Sequence, residues 1–192
     1  MKQAKWPRAL HAFGTAVVIA GGAFLWHNLP TPDDVYGPFE VHAGLGQKAV
    51  GRAISVEVSG ARIAPRLRQA LGSNPELDAV GTWVAVDAEA VALRSDDVAN
   101  VELSVGPNTY VPTTRTRVTP MVGALAPGIA VRGAWVFDVP ADLMASTRQM
   151  TLRVWVRDGR MDSRLVIDIP LDDQRVSRSD LLVMEPDRLA GT

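Results

Sequence analysis

Twenty-one residues near the N-terminus, Ala9–Leu29 (ALHAFGTAVVIAGGAFLWHNL), carry no formal charge when His11 and His27 are neutral. As a helix this run is about 31 Å long, close to the thickness of a bilayer's hydrocarbon core. Lys2, Lys5 and Arg8 precede it without an acid, and Asp33 and Asp34 follow it. Basic flanks stay on the cytoplasmic side, which predicts a single-pass span with the rest of the chain outside. Trp6 and Trp26 fall near its two ends, where indoles prefer the headgroup level. Pro30 and Pro32 are expected to stop the helix.

The alternative is a cleaved signal peptide, with Ala20, Gly21, Gly22 and Ala23 offered to a peptidase. The apolar run continues through Phe24, Leu25 and Trp26, longer than a signal core needs, and favours an uncleaved anchor. A buried helix of a soluble protein is the third possibility. A lipoprotein anchor is excluded, because there is no cysteine to acylate. Gly14, Gly21 and Gly22 are candidate helix-packing residues, with His11 and Thr15 as polar groups at membrane depth. Small residues scattered in an ordinary anchor are the plainer explanation.

The rest of the chain folds without disulfides, and its roughly 140 residues are enough for a real core. Without the three N-terminal basic residues, 21 acidic residues outnumber the remaining basic ones, so nucleic acid is not an expected partner. The expected organisation is residues 1–30 as cytoplasmic stub and transmembrane signal-anchor, 31–38 as stalk, 39–172 as extracytoplasmic domain and 173–192 as tail. Within the domain, strand signals recur at short spacing between Gly/Pro turns. Phe39–His42 is a first strand, and Ile54, Val56 and Val58 alternate with polar residues. Residues 64–78 are expected to loop, with a helical turn over Pro65–Leu71. In Thr82–Leu93, Val84, Val86, Ala88, Ala90 and Ala92 share the core face, opposite Trp83, Asp87 and Glu89. Val101–Val105 and Ile129–Pro140 follow as strands. Met150–Arg157 and Met161–Ile169 form a hairpin through a two-residue Asp158-Gly159 turn, placing Leu152 opposite Leu165 and Arg153 opposite Arg164. A short helix is expected at Ser179–Met184. The fold class is therefore all-β, an immunoglobulin-like antiparallel β-sandwich following a single N-terminal transmembrane helix.

Residues Leu125–Val154 (LAPGIAVRGAWVFDVPADLMASTRQMTLRV) resemble the later part of an extracellular immunoglobulin-like family of unknown function that includes secreted mycobacterial immunoprotective antigens. The likeness rests on Pro127-Gly128, on Gly133, on Phe137-Asp138-Val139-Pro140 and on Leu152–Val156, with TWVAVDAEAVAL similar to the family's central strand. Arg94-Ser95-Asp96-Asp97 stands where an Asn-rich turn is expected. The resemblance implies a secreted or anchored sandwich and brings no catalytic residues.

Side-chain chemistry excludes several enzyme classes. With His42 as the domain's one histidine and no cysteine, neither a Cys–His pair nor a Cys/His zinc site can be assembled. There is no Gly-x-Ser-x-Gly elbow and no glycine-rich phosphate loop. Asp87 and Glu89 point the same way, about 7 Å apart along a strand, and are the best pair for carboxylate hydrolysis. A solvated sheet face explains them more simply. Asp96-Asp97 offers too few oxygens for calcium. No catalytic residue, cofactor or metal is expected. Arg153, Trp155, Arg157 and Arg164 on the outer face of the last hairpin are the candidate interaction surface, since Trp and Arg dominate binding hot spots. Their competing explanation is a Trp covered by a loop or the tail, with the arginines stacked on it and paired to acids. The expected function is non-enzymatic: a protein-interaction or accessory subunit of a cell-envelope complex, with a membrane or envelope protein as partner. The alternatives are a free-standing glycan- or lipid-binding module and, last, a carboxylate-based envelope hydrolase.

Overall fold

A computed structural model describes residues 6–30, 35–70, 75–115, 121 and 123–190. It divides into two units, Met1–Gly37 and Pro38–Thr192.

The first unit holds one helix, α1 (Trp6–Asn28). Pro7 sits in its first turn, where a missing N–H costs nothing. Within it Leu10–Asn28 has mean hydropathy 1.3 and is long and apolar enough to cross a membrane, and none of that stretch is buried. The Thr15 hydroxyl donates to the His11 carbonyl at 2.9 Å, so this polar group is satisfied inside the helix. Asn28 ends the helix by donating its amide to the Phe24 carbonyl at 2.8 Å, two residues before Pro30. The Trp6 side chain and residues 31–34, the first half of the expected stalk with Pro32, lie outside the described residues.

The second unit is a β-sandwich. In chain order its strands are β1 (Phe39–Gly44), β2 (Lys48–Val50), β3 (Ile54–Gln69), β4 (Leu77–Ala92), β5 (Asp97–Val105), β6 (Asn108–Tyr110), β7 (Ala124–Leu125) and β8 (Val131–Val139). Helix α2 (Ala141–Ser146) follows, then β9 (Gln149–Val156), β10 (Ser163–Pro170), β11 (Val176–Arg178), β12 (Leu181–Met184) and β13 (Arg188–Leu189). One sheet runs β1-β10-β9-β5-β6, with β7 also on β5. The other runs β11-β3-β4-β8-β13, with β2 and β12 also on β3. The central pairings are antiparallel, but β1 joins β10, and β11 and β12 join β3, in parallel.

The core between the sheets follows the period of two. Ile54, Val56 and Val58 of β3, the Val84–Ala92 face of β4, Trp135, Phe137 and Val139 of β8, and Leu152, Val154, Leu165 and Ile167 of β9 and β10 all point inward. The alternation of β3 survives two register shifts. Ser59 bulges between Val58 and Gly60, and Pro65, which has no N–H for the ladder, marks the second. Residues 64–69 are therefore strand, not loop or helical turn, because β3 continues past Pro65: β4 leaves the ladder over residues 79–82 opposite it, and pairing resumes at Arg66 with Asp78.

A second, smaller core lies on the outer side of the β3-β4-β8 sheet. Trp83, Ala85, Val136, Ala64 and Leu67 are covered there by Leu182 and Met184. Residues 181–184 are strand rather than the expected helix, since β12 gains backbone bonds along β3 and buries alternate residues, Leu182 and Met184. Gly60 admits this segment: a Cβ there would meet the Arg175 carbonyl oxygen at 2.5 Å. The Arg175 side chain bonds Asp173 at 2.7 and 2.9 Å and the Leu45 carbonyl at 2.6 Å, pinning the segment to the β1–β2 turn.

Candidate functional site

The β9–β10 hairpin presents the predicted surface, with a shifted register. Leu165 pairs with Val154, Ile167 with Leu152, and Val166, not Arg164, with Arg153. The slip is two residues, so the same side chains still face the core. Its cause is the turn. Residues 157–162 all connect the strands, with Arg157, Gly159 and Met161 in the left-handed region (φ 58°, 71° and 51°). A two-residue Asp158-Gly159 turn does not form.

Arg164 thereby comes beside Trp155, its guanidinium carbon 5.0 Å from the ring centroid. The indole also meets Gly159, where a Cβ would stand 2.8 Å from Trp155 Cδ1. Arg164 Nε is buried without a hydrogen-bond partner. Arg153 donates to the Ser104 hydroxyl, and Arg157 reaches Asp97 at 3.3 Å and Ser95 at 3.0 Å. Asp97 also accepts from Ser95 at 2.8 Å. The structure thus gathers Arg153, Trp155, Arg157 and Arg164 on one face, with the indole half-buried against an arginine and a turn.

The outer face of the other sheet carries a groove of about 800 Å³, flanked by β3, β4, β8 and residues 184–190. Asp87 and Glu89 lie in it, not on an open solvated face. The Arg62 guanidinium grips both oxygens of Asp87, at 2.6 and 2.7 Å, and also donates to the Val183 carbonyl. Arg132 donates to Glu89 at 2.7 Å. The register lines up Lys48, Glu57, Glu89, Arg132 and Arg188 across five neighbouring strands. Tail residue Asp187 crosses close over Gly133 and accepts the Met121 N–H at 2.5 Å. Burial pushes its carboxyl above the usual range, and that hydrogen bond opposes the shift in part. Arg62, Arg132 and the strap at 184–190 were not signalled by spacing: they depend on which strands pair with β4.

His42 is exposed, with Nε2 3.3 Å from Glu40. Cβ atoms added at Gly14, Gly21 or Gly22 would meet nothing within 4 Å, so these glycines leave open surface on the helix. Among the described residues no group of three or more His, Asp or Glu side chains could hold a metal ion.

No protein-family model and no curated protein matches the chain. Among solved structures, the fold is similar to an uncharacterized β-sandwich protein from Clostridium difficile, at 12% identity and TM-score 0.47, covering 73% of this chain and 99% of that one. That likeness concerns the sandwich alone and does not reach the immunoglobulin-like family.

Proposed function

We propose that this chain is a single-pass membrane protein whose extracytoplasmic β-sandwich serves as an interaction or accessory subunit of a cell-envelope complex. In this view the N-terminus stays cytoplasmic and the domain is non-enzymatic. The observation that carries the proposal is a membrane-length helix with none of its apolar stretch buried, followed by a separately cored sandwich. The basic flank of the helix supports the orientation. The Trp155–Arg164 face is the partner surface in this proposal, because a half-desolvated indole under a guanidinium offers both area and charge. The test is purification of tagged full-length protein in mild detergent, wild type beside Arg164→Glu. A stoichiometric companion lost from the variant is expected; a companion held equally by both removes the site.

A second proposal, a free-standing module for envelope glycan or lipid, is favoured by the groove, whose paired arginines and carboxylates suit hydroxyl-rich ligands. Equal binding of isolated envelope material by wild type, Trp155→Ala and Arg132→Ala counts against it. Hydrolysis through Asp87 and Glu89 ranks last, since guanidinium groups already occupy both oxygens of Asp87 and one of Glu89.

A further inference from the structure

The chain enters the sandwich at Phe39, and several connections meet at that same end of the sheets. Phe39 donates its N–H to the Asp162 carbonyl at 2.9 Å, and Leu93 to the Ala53 carbonyl at 2.8 Å. Gly128 donates to the Ala92 carbonyl at 2.9 Å, and the Arg52 N–H to the Ser163 hydroxyl at 2.6 Å. These bonds stitch the entry point and the connections 51–53, 93–96, 126–130 and 157–162 into one continuous surface. Four large apolar side chains stand exposed on it: Phe39, Leu93, Ile129 and Met161. Met161 is exposed from a left-handed backbone, a conformation a methionine does not prefer. Its display is therefore not explained by local preference or by packing.

The formal charge of this end balances, Asp96, Asp97, Asp158 and Asp162 against Arg52, Arg94, Arg157 and Arg160, but the partners are shared unevenly. Asp97 is taken up by Ser95 and Arg157, Asp158 accepts the Arg160 N–H at 3.0 Å, and Asp162 accepts the Ser163 N–H at 2.7 Å. Asp96 is the acid without such a partner. Arg52, Arg94 and Arg160 have no acidic partner among the described residues, and the Arg52 guanidinium reaches only the Met161 carbonyl. Apolar tips among unpaired arginines are the chemistry of an interfacial membrane contact. The covalent tether agrees: the nine residues from Pro30 to Pro38 span at most about 32 Å when fully extended.

We propose that this end of the sandwich docks on the anionic headgroup layer of the membrane that holds the helix. Phe39, Leu93, Ile129 and Met161 enter the interface, and Arg52, Arg94 and Arg160 pair with lipid phosphates. The proposal rests on the anchor proposed above, and the test separates the two. The chain has no cysteine, so one introduced cysteine carries one label. Full-length Met161→Cys, Leu93→Cys and Val80→Cys proteins, each bearing a polarity-sensitive fluorophore, are reconstituted into vesicles of phosphatidylglycerol with phosphatidylcholine. Labels at 161 and 93 are expected to shift to the blue and to be shielded several-fold from acrylamide, while the label at 80, at the opposite end, stays open. The shielding should fall in high salt and when Arg52→Glu and Arg160→Glu are combined. Labels at 161 and 93 as open as that at 80, on protein that floats with the vesicles, overturn the docking and leave the anchor standing. Protein that does not float overturns both. Equal shielding on phosphatidylcholine alone overturns the headgroup pairing.

Discussion

The Arg164 guanidinium lies over the Trp155 ring, 5.0 Å from its centroid, because the hairpin register is two residues longer than a tight turn would make it. The pair binds the outer face of the β9–β10 hairpin to its own turn, since Gly159 packs against the same indole. Surface and turn are therefore one energetic unit.

Gly159→Ala tests that coupling. The new Cβ would stand 2.8 Å from Trp155 Cδ1 on a backbone at φ 71°. The expected loss is about 1–3 kcal/mol, combining a left-handed non-glycine with overpacking. Arg164→Ala, which removes only the stacked cation, should cost about 0.5–1 kcal/mol. Urea unfolding of both variants checks the ranking.

The residues after Asp172 close a core. Leu182→Ala, at a fully enclosed position over Trp83, should destabilise by about 2–4 kcal/mol. A free tail would give no change in the thermal midpoint.

Two tail carboxylates respond to pH with opposite signs. Arg175 hydrogen bonds hold the Asp173 carboxyl down from 3.8 to about 2. The native state binds that proton more weakly than the unfolded chain, so its stabilisation is complete above the ordinary carboxylate value and is lost as pH falls toward 2. Asp173→Asn should flatten the stability profile on the acid side.

Burial raises the Asp187 carboxyl, so the native state binds that proton more tightly, and stability falls as pH rises above the ordinary carboxylate value. Asp187→Asn keeps an acceptor for the Met121 N–H and removes the charge. It should be at least as stable as wild type at neutral pH, with a flatter profile just above the ordinary carboxylate value; thermal midpoints measured upward from that value decide it.

Arg62 and Asp87 are half-exposed but share two short hydrogen bonds. A double-mutant cycle through Arg62→Ala and Asp87→Ala should give a coupling of about 1 kcal/mol, above that of a fully exposed pair. A coupling of zero would mean that solvent screens the groove completely.

The inward faces were legible because alternation survives in the residues themselves: Val84 through Ala92, Trp135 with Phe137, and Leu152 with Val154. Register was not, because Arg157 and Met161 adopt left-handed backbones that nothing in their side chains announces. The outer layer was hidden for another reason. β11 and β12 are short strands that add to β3 in parallel, through backbone bonds that leave little pattern. Trp83 accordingly read as a solvent-side residue until its cover was seen. The arginines that occupy Asp87 and Glu89 depend on the same long-range pairing, so the groove could not be found by spacing alone.

The most direct measurement is topological. Val80→Cys in an otherwise cysteine-free chain is treated with a membrane-impermeant maleimide on right-side-out membrane vesicles, followed by an alkaline carbonate wash. The proposed function requires labelling without detergent and retention of the labelled protein in the washed membrane. Labelling only after detergent, or release of the full-length protein by the wash, would contradict an anchored extracytoplasmic domain.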